Sequence, residues 1–556
     1  MKRKHQIDFE QIIDAIIAGS PVRDIIIKAV PGGGKSTIPI QAAAKLIPEG
    51  LADRICWIAP RMSLQDQAER NFIDPFFRQM FGHQLTIRSS TNDRNPCRGT
   101  QGFVTTYQAL AVDHLQTVLN DFRINRYILV LDEFHHAEEE GEWTKALMPL
   151  YEKAAFRVLM TGTLERGDRK RIAFTSYQQT GQKEFMPCLE SDDQTAVIEY
   201  TRKDALADKA IIPVVFKFSD GHAKWEKDGQ EQQAKISTKD GSKVTAALYT
   251  AINTEYAYEL LDACIKHWNQ HRTTRPSARL LIVAAQIQNA KEYLAHVLNA
   301  GLRARIATSE DNDGAVKAIK ELKTGKIDAL VTVAMCYEGL DVPSVSHIAC
   351  LTNIRSAPWI EQMTARAVRI DPQAGPYHNQ RAYVFAPSDM LFREIAQKIE
   401  ADQLTPALLS GHGSMAMGSV EGDGSGGGPS ITPLESRMIG QSGIKDLPLF
   451  GGFSDKIGQN MPENVQNLTT ASEAEAELLE AIDSHVRKYA FQNRYNPKRL
   501  NGELYERFGK PRREMTIKEL QDCAAYCRQV WPLTYIRGTG NMRVPIKAHR
   551  YAAAWR

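Results

Sequence analysis

"DIIIKAVPGGGKSTIPIQAAAK" occupies residues 24–45. An apolar run, three consecutive glycines and Lys-Ser-Thr describe a strand, a phosphate-cradling loop and a helix. Gly32, Gly33 and Gly34 let successive backbone N–H groups converge on phosphate oxygens without Cβ clash. Lys35 reaches the β- and γ-phosphates, Ser36 holds Mg²⁺, and the next helix turns its positive end toward the anion. ATP with Mg²⁺ is the expected ligand, with Ala29, Gly32, Gly33, Gly34, Lys35, Ser36 and Thr37 around it. Two residues depart from the common G-x-x-x-x-G-K-[ST] form. Ala29 replaces the first glycine, and Pro39 falls where the helix should already be running, so a kink behind the phosphates is expected.

A second acidic site fixes the class of chemistry. "RYILVLDEFHHAEE" (126–139) sets Asp132 and Glu133 at the end of an apolar strand. Asp132 is suited to hold Mg²⁺ through water and Glu133 to polarise an attacking water. His135 and His136 are adjacent, so their side chains diverge, and no third ligand stands nearby; they are not read as metal ligands.

Short Ile/Val/Leu-rich runs at 24–30, 55–59, 103–105, 127–131 and 157–161 alternate with helical periodicity. A second series follows at 278–286, 303–309, 327–335, 346–353 and 381–387. Buried parallel strands alternating with helices read this way. The expected fold is α/β, with two tandem parallel-sheet domains at 1–200 and 201–405. A Gly/Ser-rich linker and irregular segment (406–470) and a smaller, mainly helical C-terminal domain (471–556) complete the chain. Helices are expected at 471–495 and 516–531, the second opened by a Thr516/Glu519 capping box.

The 556 residues are 43% apolar and 24% charged, ordinary for a globular protein, and no stretch approaches a membrane span. No apolar signal-peptide core follows the basic N-terminus, so a cytoplasmic protein is expected. The eight cysteines are scattered apart from Cys523 and Cys527, whose i, i+4 spacing suits a buried helix face better than zinc. Charge is uneven. Residues 484–556 hold 16 Lys and Arg against 5 Asp and Glu, while the remainder holds 53 against 61. A basic tail on a mildly acidic body points to a polyanion partner, most often nucleic acid.

Asp-Glu-x-His after an Ala-x-x-Gly-x-Gly-Lys-Ser loop resembles the superfamily 2 helicases of the DExH kind, in which Ala commonly takes the first glycine's place. Other stretches resemble that family's motifs in order. "APRMSLQDQ" (59–67) is similar to motif Ia, "VTTYQAL" (104–110) to Ic and "TGT" (161–163) to III. "LIVAAQIQNAKEY" (281–293) stands at motif IV, "VTVAMCYEGLDVPSV" (331–345) at V and "IEQMTARAVRI" (360–370) at VI. The resemblance implies two RecA-like domains closing over one ATP. Arg366 and Arg369, three apart on one helix face, then act as arginine fingers, and Gln362 helps place the attacking water. Ala365 replaces the family's usual glycine. Gly339 allows a tight turn by the nucleotide, Asp341 contacts the ribose or the arginines, and His135, Thr161 and Thr163 couple nucleotide state to the strand-binding face. Arg61, Thr105, Thr106, Gln286 and Thr332 contact the nucleic-acid backbone, with little sequence specificity. Plain strand packing is an equal account of each threonine.

Gln6 and Gln11 both precede the phosphate loop, and spacing does not choose which would read adenine. "DEFHH" and "IEYTRKDALADKAIIPVVF" (198–216) resemble the group containing UvsW and type III restriction helicase subunits, which points to DNA rather than RNA. "RKYAFQNRYNPKRLNGELYERFGKPRREMT" (487–516) interleaves aromatic and basic residues, including Lys498, Arg499, Arg512 and Arg513, and suits phosphate contact with base stacking. A protein-docking module is the competing reading of that domain. The expected activity is ATP-dependent strand movement and unwinding; the alternatives are duplex translocation without unwinding, an RNA helicase, or a nucleotide-gated binding protein.

Overall fold

The structure, a computed structural model, describes residues 2–90, 93–164, 170–179, 185–333, 340–403, 431–443 and 468–533. The chain divides into two compact units, Met1–Leu468 and Thr469–Arg556.

The first unit holds two large sheets. One contains β1 (Asp24–Ala29), β2 (Arg54–Ala59), β3 (Arg88–Ser89), β4 (Gly102–Thr106), β5 (Tyr127–Asp132) and β6 (Phe156–Thr161). After a small hairpin of β7 (Ser176–Gln179) and β8 (Phe185–Cys188), β9 (Thr195–Tyr200) returns to its edge. The order is β3-β4-β2-β5-β6-β1-β9, and every pairing is parallel. Central strands such as "YILVL" of β5 are buried on both faces, as a helix-covered parallel sheet requires. Register decides where chemistry lies. Lys28 of β1 is level with Thr161 of β6, and Met160 of β6 with Asp132 of β5. The loops leaving β1, β5 and β6 therefore emerge side by side at the carboxyl ends of the strands, where open α/β sheets bind ligands.

The second sheet contains β10 (Val214–Lys227), β11 (Gln230–Lys235), β12 (Arg279–Ala284), β13 (Ala304–Ala307), β14 (Ala329–Val333), β15 (Val345–Leu351) and β16 (Ala382–Pro387) in the order β11-β10-β16-β15-β12-β14-β13. β10 is long enough to pair β16 in parallel along Val214–Ser219 and β11 antiparallel along His222–Lys227. Its other edge takes β17 (Thr432–Gly443), antiparallel. That strand corrects the sequence reading, which placed these residues in an irregular segment. Ser436 helps fix it: its hydroxyl accepts the Tyr256 N–H at 3.2 Å and bonds the Thr254 hydroxyl.

Pro39 is a second correction. Lys35–Thr37 form a single 3₁₀ turn, and the α-helix proper is Ile38–Leu46, with Pro39 in its first turn. At that position the missing N–H would have no intrahelical partner anyway, so the helix begins at the proline instead of being kinked by it. One buried cluster joins both sheets, running from Phe9, Ile13 and Ile27 to Ile211, Phe216 and Val368.

The second unit packs helices Ala471–Asn493, Pro497–Phe508 and Ile517–Val530 around Ile482, Val486, Leu500, Leu504, Leu520 and Trp531. Thr516 and Glu519 form the expected capping box, and Cys523 and Cys527 lie in the core. The middle helix was absent from the sequence reading.

Candidate active site

The turn after β1 supplies a concave run of backbone. Gly32 and Gly34 have φ of 85° and 91°, in the left-handed region that favours glycine. Gly33 is needed for space, because a Cβ there would lie 2.8 Å from the Val30 carbonyl and 3.1 Å from the Tyr200 ring. Lys35 leaves this loop and places Nζ 2.7 Å from Glu133 Oε1. The other Glu133 oxygen accepts the Gly162 N–H at 3.0 Å, so one carboxylate ties the loops after β1, β5 and β6 together.

Glu133 itself has φ of 48°. A non-glycine residue in that conformation costs roughly 1–2 kcal/mol, and such strain concentrates at functional positions. Burial works against ionisation of Glu133, but the Lys35 ammonium and then His135 outweigh it and hold the carboxylate well below the usual range. Asp132 moves the other way: burial, followed by the charge of Glu133, raises its pKa. Two adjacent carboxyls with opposed shifts are the pattern of an acid–base site. The raised Asp132 carboxyl also fits a divalent cation, whose charge would offset both causes of the shift. Ser36 and Asp132 are the residues that would hold Mg²⁺.

His135 is buried, with Nδ1 2.8 Å from Thr161 Oγ1 and 3.3 Å from Glu133 Oε2. Thr161 Oγ1 in turn donates to the Thr163 carbonyl at 2.5 Å. The three residues read from sequence as a coupling group are thus one hydrogen-bonded chain between the acidic pair and the loop after β6.

The second sheet contributes the segment after Ala357–Thr364. Gln362 lies in that helix, but the helix stops at Thr364. Arg366 and Arg369 occupy the following turns, where Arg366 and Ala367 bond back three residues to Met363 and Thr364. The expectation of two arginines on one helix face is therefore corrected: a turn, held by Ile212 N–H to the Val368 carbonyl at 2.8 Å, presents them. Arg369 is ion-paired with Asp341, and Arg366 donates to the Leu340 carbonyl at 3.4 Å. This turn meets the phosphate loop directly, since a Cβ on Gly32 would lie 3.9 Å from the Ala365 carbonyl and 4.0 Å from Val368. Ala365 is buried there. Gly339 lies outside the described residues.

Residues read as strand contacts divide in two. Arg61 and Gln286 occupy matching places, each two residues beyond a strand end and each the N-cap of a helix (Met62–Ile73 and Ile287–Asn299) that its side chain does not cap. Thr105 and Thr332 are buried within β4 and β14, and the Thr106 hydroxyl caps its own helix by accepting the Ala109 N–H at 3.1 Å. Strand packing and capping account for these threonines, whose side chains do not present a surface.

Three residues on or beside the loop were missed or left open. Arg3 Nη1 donates to the Gly33 carbonyl at 2.6 Å. The structure chooses Gln6 over Gln11 as the loop's neighbour: Gln6 is buried and its Nε2 donates to Thr37 Oγ1 at 2.8 Å, whereas Gln11 faces solvent. The helix Lys4–Ile17 positions it by burying Phe9, Ile13 and Ile16. Tyr200, against Gly33, also carries His5 on its ring at 4.2 Å. Arg3 gave no signal in sequence, because only folding brings it to a glycine thirty residues away.

Residues 2–166 match the family model of the type III restriction enzyme res subunit, and residues 257–371 that of the helicase conserved C-terminal domain. The chain belongs to the superfamily 2 helicases. Among similar proteins, an uncharacterized Mycobacterium tuberculosis protein, Rv2917, is 26% identical over 412 residues, 73% of this chain and 65% of the relative. The chain therefore spans just under two thirds of that relative's length. UvrABC system protein B of Thermus thermophilus is 27% identical over 209 residues, 36% of this chain and 28% of that protein. Among solved structures, the helicase Lhr of Mycobacterium smegmatis bound to ssDNA and AMP-PNP is 14% identical with a TM-score of 0.44, covering 71% of this chain and 48% of that one. No described helix of the chain is long and apolar enough to cross a membrane.

Proposed function

We propose that the chain is an ATP-driven motor that moves along nucleic acid and separates its strands, with DNA as the substrate. The observation that carries this reading is the contact of the Ala365–Arg369 turn with Gly32 of the phosphate loop. An arginine-bearing turn from one sheet lies against Gly32 of the loop that carries Lys35, so one γ-phosphate can be held by both. Lys35 binds and orients the phosphates, Glu133 takes the proton of the attacking water, and Gln362 helps place that water. Arg366 and Arg369 stabilise the charge that develops as the phosphoryl group leaves. Ser36 and Asp132 would hold Mg²⁺, which would supply further positive charge at the phosphates. Closing the turn on the loop requires Arg369 to exchange Asp341 for phosphate, which links hydrolysis to relative motion of the two sheets. Arg61 and Gln286, at equivalent helix starts in the two sheets, are suited to grip successive phosphates of one strand. The match of residues 2–166 to a restriction-enzyme subunit supports DNA.

Release of the labelled strand from a forked DNA, set beside displacement of a triplex-forming strand from a duplex, tests the proposal. Fork unwinding that requires ATP is expected; triplex displacement without unwinding would instead identify a duplex translocase.

A further inference from the structure

The second compact unit carries a surface that the nucleotide site does not use. On the last two turns of helix Ala471–Asn493, Val486 and Ala490 point into the core, while Arg487, Lys488 and Phe491 share the opposite stripe. Phe491 is 87% exposed and makes no ring contact among the described residues. The Phe491 ring is thus exposed between two cations, the aromatic-and-basic interleaving that single-strand binding surfaces use.

The chain leaving this helix adds to the stripe. Arg494 ends it with φ of 58°, the left-handed cap conformation that helices usually give to glycine. The next helix, Pro497–Phe508, does use glycine there, Gly509, with φ of 70°. A basic side chain near a helix C-terminus suits the macrodipole, but glycine would make the same turn without strain. Tyr495 follows, 45% exposed, with its ring stacked on Tyr489 at 6.1 Å and the Arg499 guanidinium 5.5 Å away on it. Among the described residues Arg487, Lys488, Arg494 and Lys498 have no carboxylate partner, whereas Arg499 pairs with Glu503 at 3.3 Å. Arg512 does not belong to this surface, because it is pinned to Asp483 at 2.8 Å and to Asn501 at 3.1 Å.

We propose that Phe491 and Tyr495, flanked by Arg487, Lys488, Arg494 and Lys498, form a platform for single-stranded nucleic acid, the rings stacking on bases and the cations tracking phosphates. Every base has a π-face, so the platform is indifferent to sequence.

The test uses the full chain without ATP, so its outcome is separate from that of the motor. Anisotropy measures binding of labelled oligo(dT), oligo(rU) and an abasic deoxyribose-phosphate strand, each about 20 nucleotides long, at about 150 mM salt. Phe491→Leu combined with Tyr495→Leu is expected to weaken both base-bearing probes by about tenfold while leaving the abasic probe unchanged; Phe491→Tyr should retain wild-type binding. Changing Arg487, Lys488 and Arg494 together to Gln should weaken all three probes and reduce the salt dependence by about two counterions. Wild-type affinity for oligo(dT) and oligo(rU) in the double leucine variant would overturn the proposal and leave the surface to a protein partner. Equal weakening of the abasic probe would overturn it as well.

Discussion

Lys35 Nζ and Glu133 Oε1 lie 2.7 Å apart, joining the phosphate loop to the acidic strand end. A triphosphate must compete with Glu133 for this ammonium. Glu133→Gln removes the charge from the clamp and the base from the reaction. ATP should bind at least as tightly, while hydrolysis falls by about 10²–10⁴-fold, the range of a general base. Lys35→Ala should abolish both turnover and tight binding. Equilibrium binding of a fluorescent ATP analogue beside a phosphate-release assay separates the two outcomes.

Arg369 is ion-paired with Asp341 across the turn that meets Gly32. Arg369→Ala should keep ATP affinity within a few-fold of wild type, roughly the worth of a partly exposed ion pair. Turnover should drop by about 10³–10⁵, the range of an arginine finger. Normal turnover would place the finger elsewhere.

Asp132 gives the ATP-free protein a pH dependence of definite sign. Its folded pKa is raised by burial and by Glu133, so the native state binds the proton more tightly than the unfolded chain. Between about pH 4, where a free aspartate titrates, and the raised value, stability falls as pH rises. Glu133 is depressed; its contribution is present above the unfolded value and is lost only as pH falls through the folded one. Asp132→Asn should therefore gain in Tm over wild type as pH climbs from about 4.5 toward neutrality, then hold a constant margin. A margin independent of pH would contradict the assignment.

The chain from His135 through Thr161 to Thr163 joins the acidic pair to the loop after β6. Thr161→Val keeps the shape and removes the hydroxyl. ATPase without nucleic acid should fall less than about fivefold, since a neutral hydrogen bond contributes about 1 kcal/mol, while strand release per ATP drops further. Equal losses in both assays would make Thr161 a structural residue only.

Most strands were legible because parallel sheets leave continuous apolar runs, as in "YILVL" and "LLIVA". β17 was not, because "TPLESRMIGQSG" is an edge strand with exposed Leu434 and Ile439, and its pairing is decided by β10, two hundred residues away. Helix Pro497–Phe508 had local signals that went unused: Asn496 at the cap, Pro497 in the first turn and Gly509 past the end. At the site, motif spacing marked Lys35, the acidic pair and the arginines. It could not tell that Arg366 and Arg369 leave their helix, since neither a glycine nor a proline marks the stop at Thr364.

β17 also offers a stability test. A Cβ on Gly221 of β10 would lie 2.4 Å from the Arg437 carbonyl and 2.8 Å from the Tyr256 ring. Gly221→Ala should destabilise the fold by about 1–3 kcal/mol, the cost of overpacking, read as a lower midpoint in urea.

The ATPase rate of the full chain, measured with single-stranded, duplex and forked DNA and the corresponding RNAs at one stated salt concentration, tests the central claim most directly. The account predicts hydrolysis that is stimulated by nucleic acid, most by DNA, and lost in Lys35→Ala. A rate indifferent to every nucleic acid, or one that survives Lys35→Ala, would contradict it.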